Sequence, residues 1–167
     1  YCSISGYGQD GPYAQLSGHD INYLSYAGVL GVTSRKGQRP TIPGVQIADI
    51  GGGTLNSVIG ILLALMARQQ SGKGQYLDIA MMDGAIGWLG YIATDYFFGG
   101  KIPGPASTLL NGKNACYEVY ETKDGGYISL GAVEPHLWAN LCRYFGKEEY
   151  IKMQRDVDKQ DELFTFL

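Results

Sequence analysis

Cysteine is scarce and poorly spaced for metal binding. The three in the chain, Cys2, Cys116 and Cys142, lie far apart with no Cys-x-x-Cys among them. A zinc site is therefore not expected, and a reducing, cytoplasmic compartment is the default. Histidine is scarcer still, with only His19 and His136. There is no excess of basic residues: the net charge is −3. That excludes a general nucleic-acid binder while leaving room for a local basic pocket. No Gly-x-Ser-x-Gly elbow is present, so nothing marks a serine hydrolase. Internal repeats and low-complexity tracts are absent, and the first residues do not read as a signal peptide. The longest uncharged stretch, Ile50 to Ala67, opens near three glycines and holds Thr54, Asn56 and Ser57. It reads as a buried helix rather than a membrane span, so no membrane partner is expected.

What is present suffices for a folded domain: hydrophobic residues make up 45% of the chain. Tyr1–Tyr7 and Gln75–Met81 read as strands. Asp20–Leu30 and Asp83–Phe97 read as helices. Thr54–Gln70 is the strongest helix, with Leu55, Val58, Ile59, Leu62, Leu63 and Met66 in helical rhythm. Ile61 and Leu65 widen its apolar face, so most of it is expected to be buried. Gly72 suits a left-handed cap after it. The alternation of strand and helix predicts an α/β domain over residues 1–98.

Residues 99–112 carry Gly and Pro and read as a linker. The texture then changes. Cys116–Glu121 and Tyr127–Gly131 are expected strands joined by the turn Lys123-Asp124-Gly125-Gly126. A helix over Pro135–Phe145 follows, and residues 113–167 read as the start of a smaller α+β domain. The chain opens at Tyr1 and ends in the apolar run Leu163–Leu167, which has nothing after it to pack on. A segment of a longer protein is expected from these two ends.

Three short segments hold candidate chemistry. His19 stands where a loop becomes a helix, a place of free backbone N–H groups and partial positive field. By spacing alone the simpler reading is favoured, in which Asp20 or Ser17 caps that helix and His19 is a polar loop residue. Asp49 lies in an apolar stretch before Gly51, Gly52 and Gly53. Burial would raise its pKa and a helix N-terminus would lower it. A carboxylate there can act as base or nucleophile, or merely complement the helix dipole. The glycines would admit close approach of a substrate to the backbone. As a dinucleotide fingerprint the run fits badly, lacking the third glycine. Glu134 ends a strand and begins a helix, where it can cap that helix or orient a histidine.

Taken in order, these segments resemble the 2-methylacyl-CoA racemases within the family III CoA-transferase superfamily. The resemblance runs through Ser5-Gly6-Tyr7-Gly8-Gln9-Asp10-Gly11-Pro12, Gly18-His19-Asp20-Ile21-Asn22-Tyr23 and Ala48-Asp49-Ile50-Gly51-Gly52-Gly53. It continues in Ser71-Gly72-Lys73-Gly74-Gln75, Met82-Asp83-Gly84 and Gly131-Ala132-Val133-Glu134-Pro135. It implies a Rossmann-like large domain followed by a small α+β domain, in an interlocked homodimer. It implies His19 and Asp49 as opposed acid/base groups and Glu134 as the hydrogen-bond partner of the histidine. Tyr117 would lie near the acyl pocket, and Asp20, Gly51 and Gly52 would line the substrate site. The substrate would be an acyl-CoA thioester. Coenzyme A would enter as part of that substrate, with no metal or organic cofactor.

The same aspartate serves the CoA transferases of the superfamily as a nucleophile that forms an aspartyl-CoA thioester. The Gly-His-Asp run favours the racemase. Val45 departs from the pattern, standing four residues before Asp49 where some racemases carry a polar group. A third reading is a non-catalytic homologue or interaction fragment, against which His19, Asp49 and Glu134 all argue.

Overall fold

The computed structural model describes residues 1–167. The chain divides into two compact units. One comprises Tyr1–Ser34 and Gln38–Pro103, and the other Arg35–Gly37 and Gly104–Leu167.

The first unit is organised around two parallel strands, β1 (Cys2–Ser5) and β2 (Leu77–Ala80), in the register Cys2↔Leu77 to Ser5↔Ala80. Parallel neighbours need a long crossover, and the intervening chain supplies it as helices. The expected helix over Asp20–Leu30 is two helices, α1 (Asp20–Ala27) and α2 (Val29–Val32). Gly28 breaks them apart with φ +88 and caps α1 by donating its N–H to the Ser25 carbonyl at 3.1 Å. Residues Ile47–Leu55 form a π-helical segment that runs straight into α3 (Asn56–Ser71). The three glycines thus lie inside the helix, not before it. Gly72, with φ +69, ends α3 by donating to Arg68 O at 2.8 Å. The expected Asp83–Phe97 helix is also two, α4 (Met81–Gly87) and α5 (Gly90–Gly99). They part where the Trp88 and Leu89 N–H groups reach back only three residues, to Ala85 and Ile86.

The core of this unit joins Tyr7, Tyr23, Leu24, Ala27, Val29, Ala48 and Ala85. Two alanines in it, Ala48 and Ala85, are wholly buried, which lets the π-helical segment and α4 approach closely.

The expectation that α3 is mostly buried is overturned. Val58, Ile59, Leu62, Leu63 and Met66 are each more than half exposed, and only Ser57 of the helix is buried. The helix is apolar nearly all round, but it rests on a ribbon of two strands. Gly60 faces that ribbon, with room for a Cβ 3.5 Å from Leu77. A two-stranded sheet covers one stripe of a helix and leaves the rest bare. The continuous helix Ile47–Ser71 is long and apolar enough, by length and composition, to cross a membrane, with a mean hydropathy of 1.8 over its most apolar 18 residues. Residues 1–167 on their own are therefore expected to bind a hydrophobic dye and to self-associate. A monomer in sedimentation that binds no dye would contradict this.

The second unit holds the antiparallel hairpin β3 (Tyr117–Glu121) and β4 (Tyr127–Gly131), paired Tyr117↔Gly131 through Glu121↔Tyr127. Gly125 turns it with φ +79. Helices α6 (Pro135–Tyr144) and α7 (Gln160–Phe166), with short 3-10 turns between them, complete the unit. Trp138 is fully buried, and its indole N–H donates to Tyr150 O at 2.9 Å. Gln160 accepts from the Ala115 N–H at 2.9 Å, and Gln154 donates to the carbonyls of Ala132 and Val133. These buried amides tie the last quarter of the chain to the hairpin. The terminal apolar run does find a place to pack. Leu163 is fully buried, Phe164 and Leu167 join the same core, and Phe166 meets Tyr150 and Phe145 edge to face or tilted.

Candidate active site

The start of α1 and the start of the π-helical segment meet in the first unit. His19 is the residue before α1, in extended conformation, and it is exposed. Its backbone N–H donates to Asn22 Oδ1 at 3.0 Å. Neither Asp20 nor Ser17 caps this helix; the job falls to Asn22, three residues on. The Asp20 carboxylate turns elsewhere. Its Oδ1 accepts from the Ala48 N–H at 2.6 Å and from the Asp49 N–H at 3.1 Å. Those amides open the second helix and would otherwise lack partners.

Asp49 is half-buried. Its carboxyl is held above the usual carboxylate range, first by burial and next by the nearby Asp20 charge, with the His19 charge pulling the other way. The two opposing influences expected from the sequence are thus resolved in favour of a raised pKa. The leading amides of that segment, on Ala48 and Asp49, donate to Asp20 and not to the Asp49 carboxylate.

Tyr23 belongs to the same cluster; it stands inside the Gly18–Tyr23 motif but had no role assigned from the sequence. It is buried, its hydroxyl donates to Gly18 O at 2.6 Å, and its ring fills the space beside Gly18 where a Cβ would come within 2.7 Å. Burial raises its pKa, with Tyr7 and Asp49 adding to the effect. The ring also meets Tyr7 edge-on at 5.1 Å. It thereby pins the Gly18-His19 turn against the core.

Gly51, Gly52 and Gly53 are buried, and the close approach they allow is made by the protein itself. A Cβ on Gly51 would lie 2.8 Å from the Trp88 ring, and one on Gly52 would meet Met81 O and, at 2.9 Å, Ala85 N. Gly51 also lines an open cleft of about 590 Å³ with Asn56, Asp83, Trp88 and Tyr91.

The remaining sequence candidates lie in the second unit. Tyr117 is the first residue of β3 and is partly exposed. Glu134 precedes α6 as its cap residue, yet its side chain makes no capping hydrogen bond. The helix starts with Pro135, which has no N–H to cap. The Glu134 carboxylate is exposed.

This chain belongs to the CoA-transferase family III, whose family model matches residues 1–164. It is similar to alpha-methylacyl-CoA racemase of Mus musculus, at 37% identity over 148 residues, 89% of this chain and 39% of the mouse protein. It is also similar to succinyl-CoA:glutarate CoA-transferase of Homo sapiens, at 32% identity over 151 residues, 90% of this chain and 34% of that protein. Among solved structures, a CAIB/BAIF family protein from Brucella suis matches with a TM-score of 0.77 and 32% identity, covering 99% of this chain and 45% of that one. The chain therefore spans about two-fifths of the length of such relatives.

Proposed function

We propose that the protein is an acyl-CoA enzyme that interconverts the two configurations of 2-methylacyl-CoA thioesters. The observation that carries this reading is that Asp20, the residue after His19, accepts from the amides of Ala48 and Asp49, which brings the two candidate acid/base residues to adjoining helix starts. The Asp49 carboxylate takes the α-proton from one face of the thioester. The C–H electron pair moves into an enolate, and protonated His19 returns a proton to the opposite face. Asp49 is left as the acid and His19 neutral, and exchange with water resets the pair. Because Asp20 occupies the Ala48 and Asp49 amides, the enolate oxygen is assigned to the N–H groups that open α1. The cleft beside Gly51 is a candidate for the acyl group. In an interlocked dimer, Glu134 of the partner subunit would hold the His19 ring.

The test is incorporation of deuterium from heavy water at the α-carbon of each 2-methylacyl-CoA enantiomer by the full-length protein. His19→Ala is expected to lose inversion by about a hundredfold or more. Absence of exchange with a range of 2-methylacyl-CoA esters would remove the racemase reading.

Similarity to a CoA transferase at 32% identity supports a second reading. Here Asp49 attacks the thioester carbonyl and expels the CoA thiolate, leaving a mixed anhydride. The thiolate then attacks the Asp49 carbonyl, releasing the first acid and forming an aspartyl-CoA thioester; a second carboxylate attacks that thioester and expels CoA thiolate, which attacks the acyl carbon of the new anhydride to give the second acyl-CoA and free Asp49. Hydroxylamine or borohydride would trap an adduct on Asp49, and turnover would require a second carboxylic acid. Turnover that needs no acceptor acid removes this alternative.

A further inference from the structure

We propose that Asp20 is a positioning residue whose carboxylate fixes Asp49 relative to His19, acting through the Asp49 backbone instead of touching substrate. The inference rests on the reading of Asp49 as the reacting carboxyl. A single oxygen, Asp20 Oδ1, accepts from the amides of both Ala48 and Asp49, at 2.6 and 3.1 Å, across 28 and 29 residues of chain. Asp20 is also the covalent neighbour of His19. The two groups that must face opposite sides of one carbon are therefore joined by one peptide bond, one carboxylate and two hydrogen bonds. Hydrogen bonds to an ionised acceptor are short and directional, and an acid/base pair works only when held to a fraction of an ångström.

The clamp also shapes the chemistry of Asp49. It consumes two N–H groups that would otherwise be free to stabilise the Asp49 carboxylate, and it sets a second negative charge beside it. The ionisable groups on the elements packed against the π-helical segment are His19, Asp20, Tyr23 and Tyr26 around α1, Asp83 on α4, Asp78 on β2, Cys2 on β1 and Arg68 on α3. Of these, only Asp20 and His19 shift Asp49, and Asp20 acts in the direction that makes it a stronger base.

The experiment compares wild type, Asp20→Asn and Asp20→Ala in the full-length protein. It reads the Ala48 and Asp49 amide exchange rates, the titration of the Asp49 carboxyl by carbon-13 NMR, and kcat and KM for α-proton exchange. Asp20→Asn keeps an acceptor oxygen and removes the charge. Its two amides are expected to stay protected while the Asp49 titration, and with it the acid limb of the pH–rate profile, moves to lower pH. Asp20→Ala is expected to speed exchange of both amides about tenfold or more, as a lost charged-acceptor hydrogen bond implies, and to lower kcat with KM nearly constant. Unchanged amide protection in Asp20→Ala, or an unmoved Asp49 titration in Asp20→Asn, overturns the proposal. So does a raised KM at constant kcat, which would make Asp20 a substrate contact. If Asp20→Ala does not fold, the titration in Asp20→Asn decides. The amide and carbon readouts need no turnover, so a wild type inactive in α-proton exchange would refute the racemase reading and still leave the clamp tested.

Discussion

Asp49→Asn is expected to cut α-proton exchange by about a hundredfold to ten-thousandfold, the usual contribution of a positioned acid/base group. The substitution keeps the shape of the side chain and removes only its ability to take a proton. For the enantiomer from which Asp49 takes the proton the active form is the carboxylate, so that rate rises as pH climbs through the Asp49 pKa. Burial and the Asp20 charge hold that pKa above the usual carboxylate range. The acid limb of the rate profile is thus expected above where an ordinary aspartate would put it, and it should vanish in Asp49→Asn. The linkage to stability has a definite sign. A carboxyl whose folded pKa is raised contributes stability that is fully present below its unfolded pKa and is lost as pH rises through the folded value. At neutral pH the ionised Asp49 therefore opposes folding, and Asp49→Asn is expected to be more resistant to urea there than wild type. A gain in stability coupled to a loss of rate is the mark of a group kept for chemistry. An Asp49→Asn variant that retains about a tenth of the exchange rate, far above the range expected of a lost acid/base group, would end the argument for this residue.

Much of this arrangement was legible in the residues, for identifiable reasons. The hairpin followed from two segments rich in Tyr, Val and Ile joined by Lys123-Asp124-Gly125-Gly126, and the limits of β1, β2 and α6 lie within two residues of those expected. Helix breaks were less legible. Gly28 inside an apolar rhythm looks tolerable until its positive φ is seen. The π-helical turn over Ile47–Leu55 leaves no mark in a 3.6-residue pattern, since its bonds are spaced differently. The exposure of α3 was invisible for a deeper reason. Periodicity shows which residues are apolar but not whether anything covers them, and the two strands beneath this helix cover little. At the candidate site, His19 and Asp49 stand out in the sequence through the ordered motifs. The Asp20 link was not, because a hydrogen bond spanning 28 residues has no local signature. Asn22 was legible in principle, since a side-chain amide three residues after a helix cap is a recognised reciprocal pattern.

The glycines around Asp49 carry the second large effect. Gly52 and Gly84 bring the backbones of the π-helical segment and α4 into direct contact. A Cβ on Gly84 would run into the Gly52 carbonyl, and one on Gly52 would run into Met81 O. Both obstacles are main chain, so no side-chain rotation can relieve them. Gly84→Ala is expected to destabilise the full-length protein by about 3 kcal/mol, the upper end of the overpacking range, as read from the urea midpoint. Gly87 provides the matched control. It lies in the same helix, nothing would meet its Cβ within 4 Å, and an alanine there gains helix propensity. Gly87→Ala is therefore expected to stabilise by roughly 0.5–1 kcal/mol. The two substitutions are chemically identical and sit three residues apart, so their opposite signs would isolate the backbone contact as the cause. Pushing α4 away also displaces Gly52, three residues from Asp49, and the exchange rate of Gly84→Ala is expected to fall even at temperatures where the variant remains folded. Equal midpoints for the two variants would mean that α4 can move off the glycines at little cost, and that the position of Asp49 is fixed from the α1 side alone, through Asp20.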